Sequence, residues 1–332
     1  RCLGMLRGVV VGVGALALVL AVLMQPAPRL LKVQTFPYGP TTIEADAKPD
    51  FLWRVRSLAR TSLVTGTDDY VRLNETTAIV SSLDGIIHRV DLRSEETAVF
   101  ARPPVPAAGM VLAQDGSSVF FCGARSSFIN RPGAPGLYRV DVSTGEVAAV
   151  LLRVPVVSAG PETVFPRTTS RFNFADLDEQ NSRPIGLCND VQIGATAGIL
   201  YFSEPSTGPD AGMGALASPW VVAQTQGGWV WRVDVKHGTV SPVAAGFAFP
   251  DGILEENDGS EVLFTELARV RIIRAYLDTA TFQVVVADLP GFPDGLNRDD
   301  AGRIWVAFVK EKSKAAVALT PYAVLPPTTQ TS

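Results

Sequence analysis

The sequence has few of the residues that most often carry enzyme chemistry. Its 332 residues include two histidines and three cysteines. No C-x-x-C spacing occurs, which excludes a zinc ribbon and a thioredoxin-type site. No G-x-S-x-G turn occurs either, because GATAG at 194–198 lacks the serine that such a nucleophile requires. Histidine and cysteine ligands for zinc are therefore missing, and so is the common serine nucleophile motif.

The chain also lacks an excess of positive charge. The formal net charge is −4, and acidic and basic residues are spread along the chain. The absence of a basic stripe argues against a nucleic-acid partner. The 29 glycines and 24 prolines are dispersed, which suits a fold with many turns, and a hydrophobic content of 47% permits a sizeable core.

One long uncharged run lies near the beginning of the sequence, GVVVGVGALALVLAVLM at 8–24. Its length is near the lower limit for a membrane-spanning helix. A cleavable signal peptide is the alternative, although its apolar region is usually shorter. We predict a membrane anchor at 1–25 and a linker at 26–52, with the rest of a single-pass protein on one aqueous side. That side is the secretory lumen or cell exterior, or an organelle if a targeting peptide was removed.

The body of the chain repeats one strand pattern. The words are IHRVDL, LYRVDV and VWRVDV, with IIRAYL as a weaker copy. Each is preceded by a strand that ends in a polar turn and is followed by a turn and an exit strand. A recurring four-stranded unit of about 40–50 residues indicates a β-propeller. A β-sandwich would also have regular short strands, but it would not repeat the same words.

We therefore predict an all-β propeller over residues 53–320, followed by a tail at 321–332. Two segments interrupt the repeat, a long polar one at 154–183 and a Gly-, Pro- and Ala-rich one at 204–227. Both are predicted to be loops that overhang one face.

The tetrapeptide FPDG occurs twice, at 249–252 and at 292–295, each time at the head of an apolar strand. In a propeller the innermost strands line a central channel, so residues at their heads meet in space. Four such positions carry oxygen ligands of the kind that Ca²⁺ prefers. These candidate ligands are Asp68, Asn189, Asp251 and Asp294. The alternative is that Pro-Asp-Gly is an ordinary tight turn in which the aspartate accepts backbone N–H groups.

The cysteines leave two interpretations open. Cys122 lies in the apolar strand SVFFCG and is predicted to be a small buried hydrophobe. A disulfide with Cys188 is the alternative, although no spacing rule supports it.

The longer repeat segments resemble the strictosidine synthase-like proteins, including the adipocyte plasma membrane-associated protein family, and more distantly the paraoxonases and gluconolactonases. The segments that carry the resemblance are YRVDVSTGEVAAVL, CNDVQI with GILYFSEPS, AGFAFPDGILEENDGSEVLFTELARVRIIRAYL, and DLPGFPDGLNRDDAGRIWVAF. The resemblance runs from about Arg54 to Phe308. It implies a six-bladed propeller whose last blade is atypical here, because the sequence after Phe308 departs from the family pattern. Segments near 31–36 and 53–60 are candidates to complete that blade.

The resemblance also implies a central Ca²⁺ held by Glu, Asn, Asn and Asp from four blades. The matching positions are those of the four candidate ligands, with Asp68 in place of Glu and Asp251 in place of Asn. Paraoxonases hold a second Ca²⁺ through positions that match Asp69 and Asp190, so a second site is a further expectation. The catalytic histidine of paraoxonases falls near Ala108 and is missing.

Two functions follow as expectations. The first is a Ca²⁺-dependent hydrolase of small lactones or aryl esters, in which Asp294 or Asp251 activates water as the general base. The second is a non-catalytic propeller that is anchored in a membrane and serves as an interaction or assembly subunit of a protein complex. Alkaloid condensation is not supported, because the family's catalytic glutamate lies in the final blade, where the resemblance ends.

Overall fold

The computed structural model describes residues 67–217, 221 and 225–311. The predicted anchor and linker, the segments near 31–36 and 53–60, and the tail lie outside this range. Within the described ranges no helix is both long and apolar enough to cross a membrane.

The described residues form antiparallel sheets that follow the predicted repeat. Blade one contains β1 (Tyr70–Arg72), β2 (Thr77–Ser81), β3 (Ile87–Asp91) and β4 (Thr97–Ala101). Blade two contains β5 (Ala107–Leu112), β6 (Ser118–Gly123), β7 (Gly136–Asp141) and β8 (Val147–Leu151). An insertion then adds β9 (Arg153–Pro155), β10 (Thr163–Val164), β11 (Phe172–Asn173) and β12 (Ser182–Pro184).

Three more blades complete the described part. Blade three contains β13 (Val191–Ile193), β14 (Ile199–Glu204), β15 (Gly228–Asp234) and β16 (Thr239–Phe247). Blade four contains β17 (Pro250–Glu256), β18 (Glu261–Glu266), β19 (Arg271–Tyr276) and β20 (Thr281–Val286), and blade five contains β21 (Gly291–Arg298) and β22 (Ile304–Glu311). Short 3₁₀ helices occupy Phe174–Asp176, Gly214–Leu216, Asn257–Gly259 and Leu267–Arg269.

The first strands of the five blades lie side by side in chain order. β1 contacts β5, β5 contacts β13, β13 contacts β17, and β17 contacts β21. Each blade then extends outward through antiparallel neighbours. This radial arrangement confirms the predicted all-β propeller architecture and places the heads of the first strands around one axis. The predicted number of six blades stays a prediction, since the described residues form five sheets of this kind.

The repeated RVD word explains how the third and fourth strands of a blade connect. In blade two the valine of the word, Val140, is fully buried in the core, and the arginine beside it is exposed. The carboxylate of Asp141 accepts the backbone N–H groups of Ser143 at 2.9 Å and Thr144 at 2.9 Å. Gly145 then takes a φ of 73°, a value that favours glycine. The word therefore encodes core packing and a turn.

The segment 154–183 is more ordered than the predicted loop. β10 and β11 both pair with β16 and thereby widen the outer edge of blade three, while β9 pairs with β12. Such pairing is possible because β16 is the outermost strand of its blade and offers a free edge of backbone groups.

Two strands of blade five, β21 and β22, lie within the described residues. Its strand β22 carries four large apolar side chains with considerable exposure, Ile304 at 38%, Trp305 at 50%, Phe308 at 41% and Val309 at 65%. In blade four, by contrast, Phe264 and Ile273 are fully buried. The predicted atypical sixth blade lies outside the described residues and stays a prediction.

Candidate functional site

A cavity of about 460 Å³ follows the inner strands along the propeller axis. All four candidate ligands line it, as do the two residues of the expected second site. They are Asp68, Asp69, Asn189, Asp190, Asp251 and Asp294. The predicted convergence of these residues is thus what the structure contains, although the residues are up to 226 positions apart in the chain (68 to 294).

Three of these side chains contact one another directly across blades. The amide nitrogen of Asn189 donates a hydrogen bond to the carboxylate of Asp251. Asp251 also shares a hydrogen bond with Asp294. Asp251 is only 3% exposed, whereas Asn189 and Asp294 are half-buried. The two FPDG aspartates therefore form a carboxyl pair that can share a proton.

The cavity raises the pKa of every carboxyl group in it. Burial, and then the charge of Asp69, raises the pKa of Asp190 to about 8. Removal of water, followed by the charges of Asp294 and Asp69, raises the pKa of Asp68 to about 7, although part of its side chain is exposed. Burial and then the charge of Asp294 raise the pKa of Asp251 well above its ordinary value. The pKa of Asp294 is also raised by burial, while the hydrogen bond with Asp251 opposes the shift.

Asp69 and Asp190 join neighbouring blades. The Asp69 carboxylate accepts the N–H groups of Tyr70 and of Met110 in the next blade, both at 2.7 Å. The Asp190 carboxylate accepts those of Val191 at 2.8 Å and of Ile253 in the next blade at 3.0 Å. These bonds oppose the effect of burial, which raises the pKa of Asp69 to about 6. The two aspartates therefore hold adjacent blades in register, and their role at a second cation site stays a prediction.

Two glycines allow neighbouring inner strands to approach each other closely beside these carboxylates. A Cβ atom on Gly109 would lie 2.5 Å from an Asp190 carboxylate oxygen. A Cβ atom on Gly252 would collide with the backbone oxygen of Asp294. Larger residues at either position would force the axial carboxylates apart.

Two buried glutamates, which the sequence analysis missed, hold the turns that enter the axis. Glu204 accepts the N–H of Gly186 at 2.9 Å, and Glu266 accepts the N–H of Ala248 at 2.6 Å. Both glutamates are fully buried. The residues that they hold, Gly186 and Ala248, each lie three positions before an axial residue, Asn189 and Asp251. The available signal was the glutamate that ends the strand words ILYFSE and EVLFTE.

Each glutamate is neutralised by arginine. The Glu204 carboxylate receives both terminal nitrogens of Arg183, at 2.6 and 2.8 Å, and the indole N–H of Trp231 at 2.9 Å. Glu266 pairs with Arg271 and lies 3.4 Å from Arg269. Such bonds satisfy charges that would otherwise be costly to bury.

Cys122 and Cys188 form a disulfide with Cα atoms 4.9 Å apart. The prediction that Cys122 is simply a small buried hydrophobe is therefore wrong, although the residue is fully buried. The bond links blade two to the residue directly before Asn189, and it closes a separation of 66 residues. It fixes the turn that delivers Asn189 and Asp190 to the axis.

Neither histidine lies at the axial cavity. His88 is 1% exposed and hydrogen-bonds Asp84 at 3.2 Å, while His237 hydrogen-bonds Asp234 at 2.9 Å in a turn. Blade two lines the cavity with Gly109, Met110, Val111 and Leu112, none of which has an ionisable side chain, and the neighbouring Ala108 is fully buried. Acid–base chemistry in this cavity therefore depends on its carboxyl groups.

The donor set of the cavity fits a hard cation by its chemistry. Five carboxyl groups and three side-chain amides line it, and its described lining contains no lysine, arginine or histidine. Carboxylates that are buried together without a positive partner favour the binding of a divalent cation such as Ca²⁺. Within the described ranges, however, no three His, Cys, Asp or Glu side chains are already arranged as a metal-ligand set.

These features define a β-propeller with an acid-lined axial cavity. The chain belongs to the family described as SMP-30/Gluconolactonase/LRE-like region, whose model matches residues 74–319. Strictosidine synthase-like and adipocyte plasma membrane-associated proteins are among the curated relatives, which confirms the resemblance stated from the sequence. The chain spans less than half the length of the curated relatives it matches.

Two curated relatives and one solved structure show how similar known proteins are to this chain. Protein strictosidine synthase-like 13 of Arabidopsis thaliana is 32% identical over 140 residues, which cover 42% of this chain and 34% of that protein. Pentonolactonase XacC of Haloferax volcanii is 34% identical over 92 residues, covering 26% of this chain and 31% of that protein. The crystal structure of a calcium-binding protein, regucalcin, from Agrobacterium tumefaciens has a TM-score of 0.49 and 19% identity, covering 75% of this chain and 68% of that one.

Proposed function

We propose that the protein is a calcium-dependent hydrolase that opens small lactones or cleaves aryl esters in the axial cavity. The observation that carries this proposal is the meeting of Asp68, Asn189, Asp251 and Asp294 in one cavity without a positive side chain. Membership in a family described by gluconolactonase, together with the name of the pentonolactonase relative, supports a lactone as the substrate class.

The cavity suits a small substrate. Its volume of about 460 Å³ falls within the usual range for small-molecule sites. Apolar side chains of the inner strands, such as Met110, Val191 and Leu296, share its lining with the acids. An uncharged lactone or ester can rest on this apolar wall while its carbonyl group faces the oxygen ligands.

The Asp251–Asp294 pair supplies the acid–base chemistry. Because the two carboxyl groups share a hydrogen bond, one proton is held between them as the pH rises. Asp251 is the more deeply buried partner and therefore the better proton holder. Asp294, which is half-buried, accepts the proton of the attacking water, and the pair returns a proton to the leaving oxygen.

Asp68, Asn189, Asp251 and Asp294 are the residues that would hold the cation. When bound, Ca²⁺ supplies the positive charge that offsets the carboxylates and polarises the substrate carbonyl. Asp68 is one methylene shorter than the glutamate that the family resemblance implies, so its reach is the least secure of the four. The backbone bonds of Asp69 and Asp190 keep the first strands in register around this set.

The test is an assay of phenyl acetate and of small lactones, with and without a chelator, on the wild type and on Asp294→Ala. We expect turnover by the wild type, its loss on chelation, recovery with calcium, and loss in the variant. Asp115→Asn, which alters an exposed turn aspartate outside the cavity, is the matched control and should keep activity. Activity that survives both chelation and Asp294→Ala would falsify this mechanism.

A second candidate is a non-catalytic propeller that is held at a membrane by the segment 8–24 and takes part in a protein complex. The observation in its favour is that blade two lines the axial cavity with Gly109, Met110, Val111 and Leu112, none of which has an ionisable side chain. Detergent solubilisation followed by native mass measurement separates the candidates. A lone monomer that turns over lactones counts against this second function, whereas a stable inactive complex supports it.

A further inference from the structure

A second cavity, of about 280 Å³, lies away from the propeller axis against blades three and four. Its walls come from the insertion after blade two, from β14, β15 and β16, and from the end of β17. It shares no lining residue with the axial cavity. Whatever binds here would not occupy the proposed catalytic site.

Two arginines of this cavity form no ion pair with an acid of the described residues. Arg171 comes from the insertion and is exposed, and Arg232 comes from β15 and is half-buried. Within the described ranges neither forms an ion pair, whereas the third arginine of the lining, Arg167, pairs with Asp278 at 2.6 Å. Two guanidinium groups are therefore available to an anion at one cavity.

The register of the blades shows that Arg232 is unusual. It is the arginine of the word VWRVDV, and the same position carries Arg89 in blade one and Arg139 in blade two. Both of those arginines are exposed to solvent, and Arg274, the matching residue of blade four, is half-buried but pairs with Glu256 at 2.9 Å. In blade three, residues of the insertion and of blade four surround Arg232, so its guanidinium group lines a cavity. Partial burial of a charge favours the binding of an opposite charge.

A tyrosine adds a donor beside Arg232. Tyr201 is 1% exposed and lines the cavity together with Arg232. Burial, and then the charge of Glu255, raises the pKa of Tyr201 to about 12, so its hydroxyl keeps its proton at neutral pH. The hydroxyl hydrogen therefore remains free to donate to a ligand oxygen.

The lining also contains two acids, Glu255 and Asp258; burial raises the pKa of Glu255, while its hydrogen bond from Ala195 and the charge of Arg232 oppose that shift. Glu255 accepts the N–H of Ala195 at 2.7 Å, and Asp258 is exposed. Gly259, with a φ of +77°, keeps space between Glu255 and Tyr201: a Cβ atom there would lie 2.7 Å from a Glu255 oxygen and 3.4 Å from the tyrosine hydroxyl oxygen. The opposite wall is apolar and includes Phe165, Val243 and Leu277.

We propose that this cavity binds a small organic anion, a carboxylate or a phosphate monoester. Arg171 and Arg232 hold its charged group in charge-assisted hydrogen bonds, and Tyr201 donates one more. The apolar body of the ligand lies against the wall formed by Phe165, Val243 and Leu277. The small volume limits the ligand to about the size of a substituted ring.

Calorimetric titration with phenyl phosphate and with benzoate tests the proposal, because the two probes carry different charged groups on the same ring. We expect one saturable site for at least one probe, and the probe that binds more tightly assigns the charged group. Arg171→Ala and Arg232→Ala should each weaken binding about tenfold, as the loss of a charge-assisted hydrogen bond does. Arg139→Ala, the register-matched arginine of blade two, and Asp294→Asn, in the axial cavity, should leave binding unchanged.

Several outcomes would overturn the proposal. They are the absence of saturable binding by either probe, equal weakening by Arg139→Ala, and loss of binding in Asp294→Asn. Far-ultraviolet circular dichroism verifies that each variant is folded. If Arg232→Ala does not fold, Arg171→Ala decides the result alone, because its side chain is exposed on the insertion.

Discussion

The two FPDG copies have the same four residues but different surroundings. In the first copy Phe249 is buried with a φ of 61°, Ala248 is held by the buried Glu266, and Asp251 is 3% exposed. In the second copy both Phe292 and Asp294 are half-buried. Its backbone oxygen is held by the Thr265 hydroxyl at 2.9 Å, a contact from the preceding blade.

This difference shows how one tetrapeptide can serve two roles. A non-glycine residue in the left-handed region costs free energy and persists where its surroundings hold it. The first copy is held in this way, and its aspartate is suited to store a proton and to bind a cation. The second copy is more open, and its aspartate is suited to exchange protons with substrate and water. The predictions below change one copy at a time.

The largest effect is expected from exchanging the two aspartates for asparagine. Asp294→Asn should lower kcat on phenyl acetate or a lactone by about 10²–10⁴-fold, because it removes the general base. Asp251→Asn should cost less than about tenfold, since an amide oxygen still binds calcium and asparagine is what the family resemblance implies there. Steady-state kinetics in excess calcium measures both. Equal losses, or a greater loss for Asp251→Asn, would contradict the division of roles.

Removal of the glutamate that holds the first copy should mainly affect stability. Glu266→Ala takes one partner from a buried ion pair with Arg271 and frees the N–H of Ala248, which should lower the free energy of unfolding by about 3 kcal/mol. Glu162→Ala is the matched control, because Glu162 contacts the same arginines but does not hold the Ala248 turn. Urea denaturation measures the stability of each variant, and kcat reports on the site.

At a low temperature, where both variants are fully folded, Glu266→Ala should lower kcat and Glu162→Ala should not. If Glu162→Ala reduces kcat by as much as Glu266→Ala, the contact with the Ala248 turn has no special role.

The acid cavity should make the calcium-free protein less stable as the pH rises. Asp69, Asp68 and Asp190 keep their protons in the folded protein up to pH values of about 6, 7 and 8, whereas the unfolded chain loses them near pH 4. The folded state then binds more protons, so stability is full below about pH 4 and is lost as the pH rises to 8. With two histidines in the chain, few other groups titrate in this window.

Calorimetric melting in chelator should therefore give a Tm at pH 8 about 5 °C or more below that at pH 5. Excess calcium should reduce this difference, because it offsets the ionised carboxylates. A Tm that rises with pH in chelator would show that the cavity does not hold the carboxyl groups in their protonated form.

The smallest effect is expected from the hydroxyl that holds the second copy. Thr265→Val keeps the side-chain shape but removes the donor to the Asp294 backbone oxygen, which should cost about 1 kcal/mol and less than a tenfold change in kcat. Ser203→Ala makes the comparable change at the backbone N–H of Asp190, which lies next to the first copy's partner Asn189. Thermal melts and kinetics of both variants complete the comparison. A lower kcat for Ser203→Ala than for Thr265→Val would reverse the expected order.

The blades and the axial residues could be predicted from the sequence because both repeat. The RVD motifs mark third strands, and the head of the next first strand follows after one further strand, except across the insertion between blades two and three. The pairing of β10 and β11 with β16 could not be predicted, since those short strands repeat no word and their partner is a free edge that exists only after folding. The backbone partners of Asp69 and Asp190 were equally hidden, because an N–H group leaves no residue-specific signal.

The disulfide shows the same limit. Cys122 and Cys188 belong to different blades, and their proximity results from the radial arrangement of the sheets. The positions of Glu204 and Glu266 could be predicted from the sequence, since each ends the second strand of its blade. Their role could not, because it depends on the turn that each one holds. Sequence repeats therefore predict which residues approach the axis better than they predict what holds them there.

The central claim is that the axial residues form a divalent-cation site, and a crystal structure determined in the presence of calcium tests it most directly. The account predicts a strong density peak on the propeller axis that is ringed by Asp68, Asn189, Asp251 and Asp294. An axis without such a peak in saturating calcium, or one filled by a protein side chain, would contradict it.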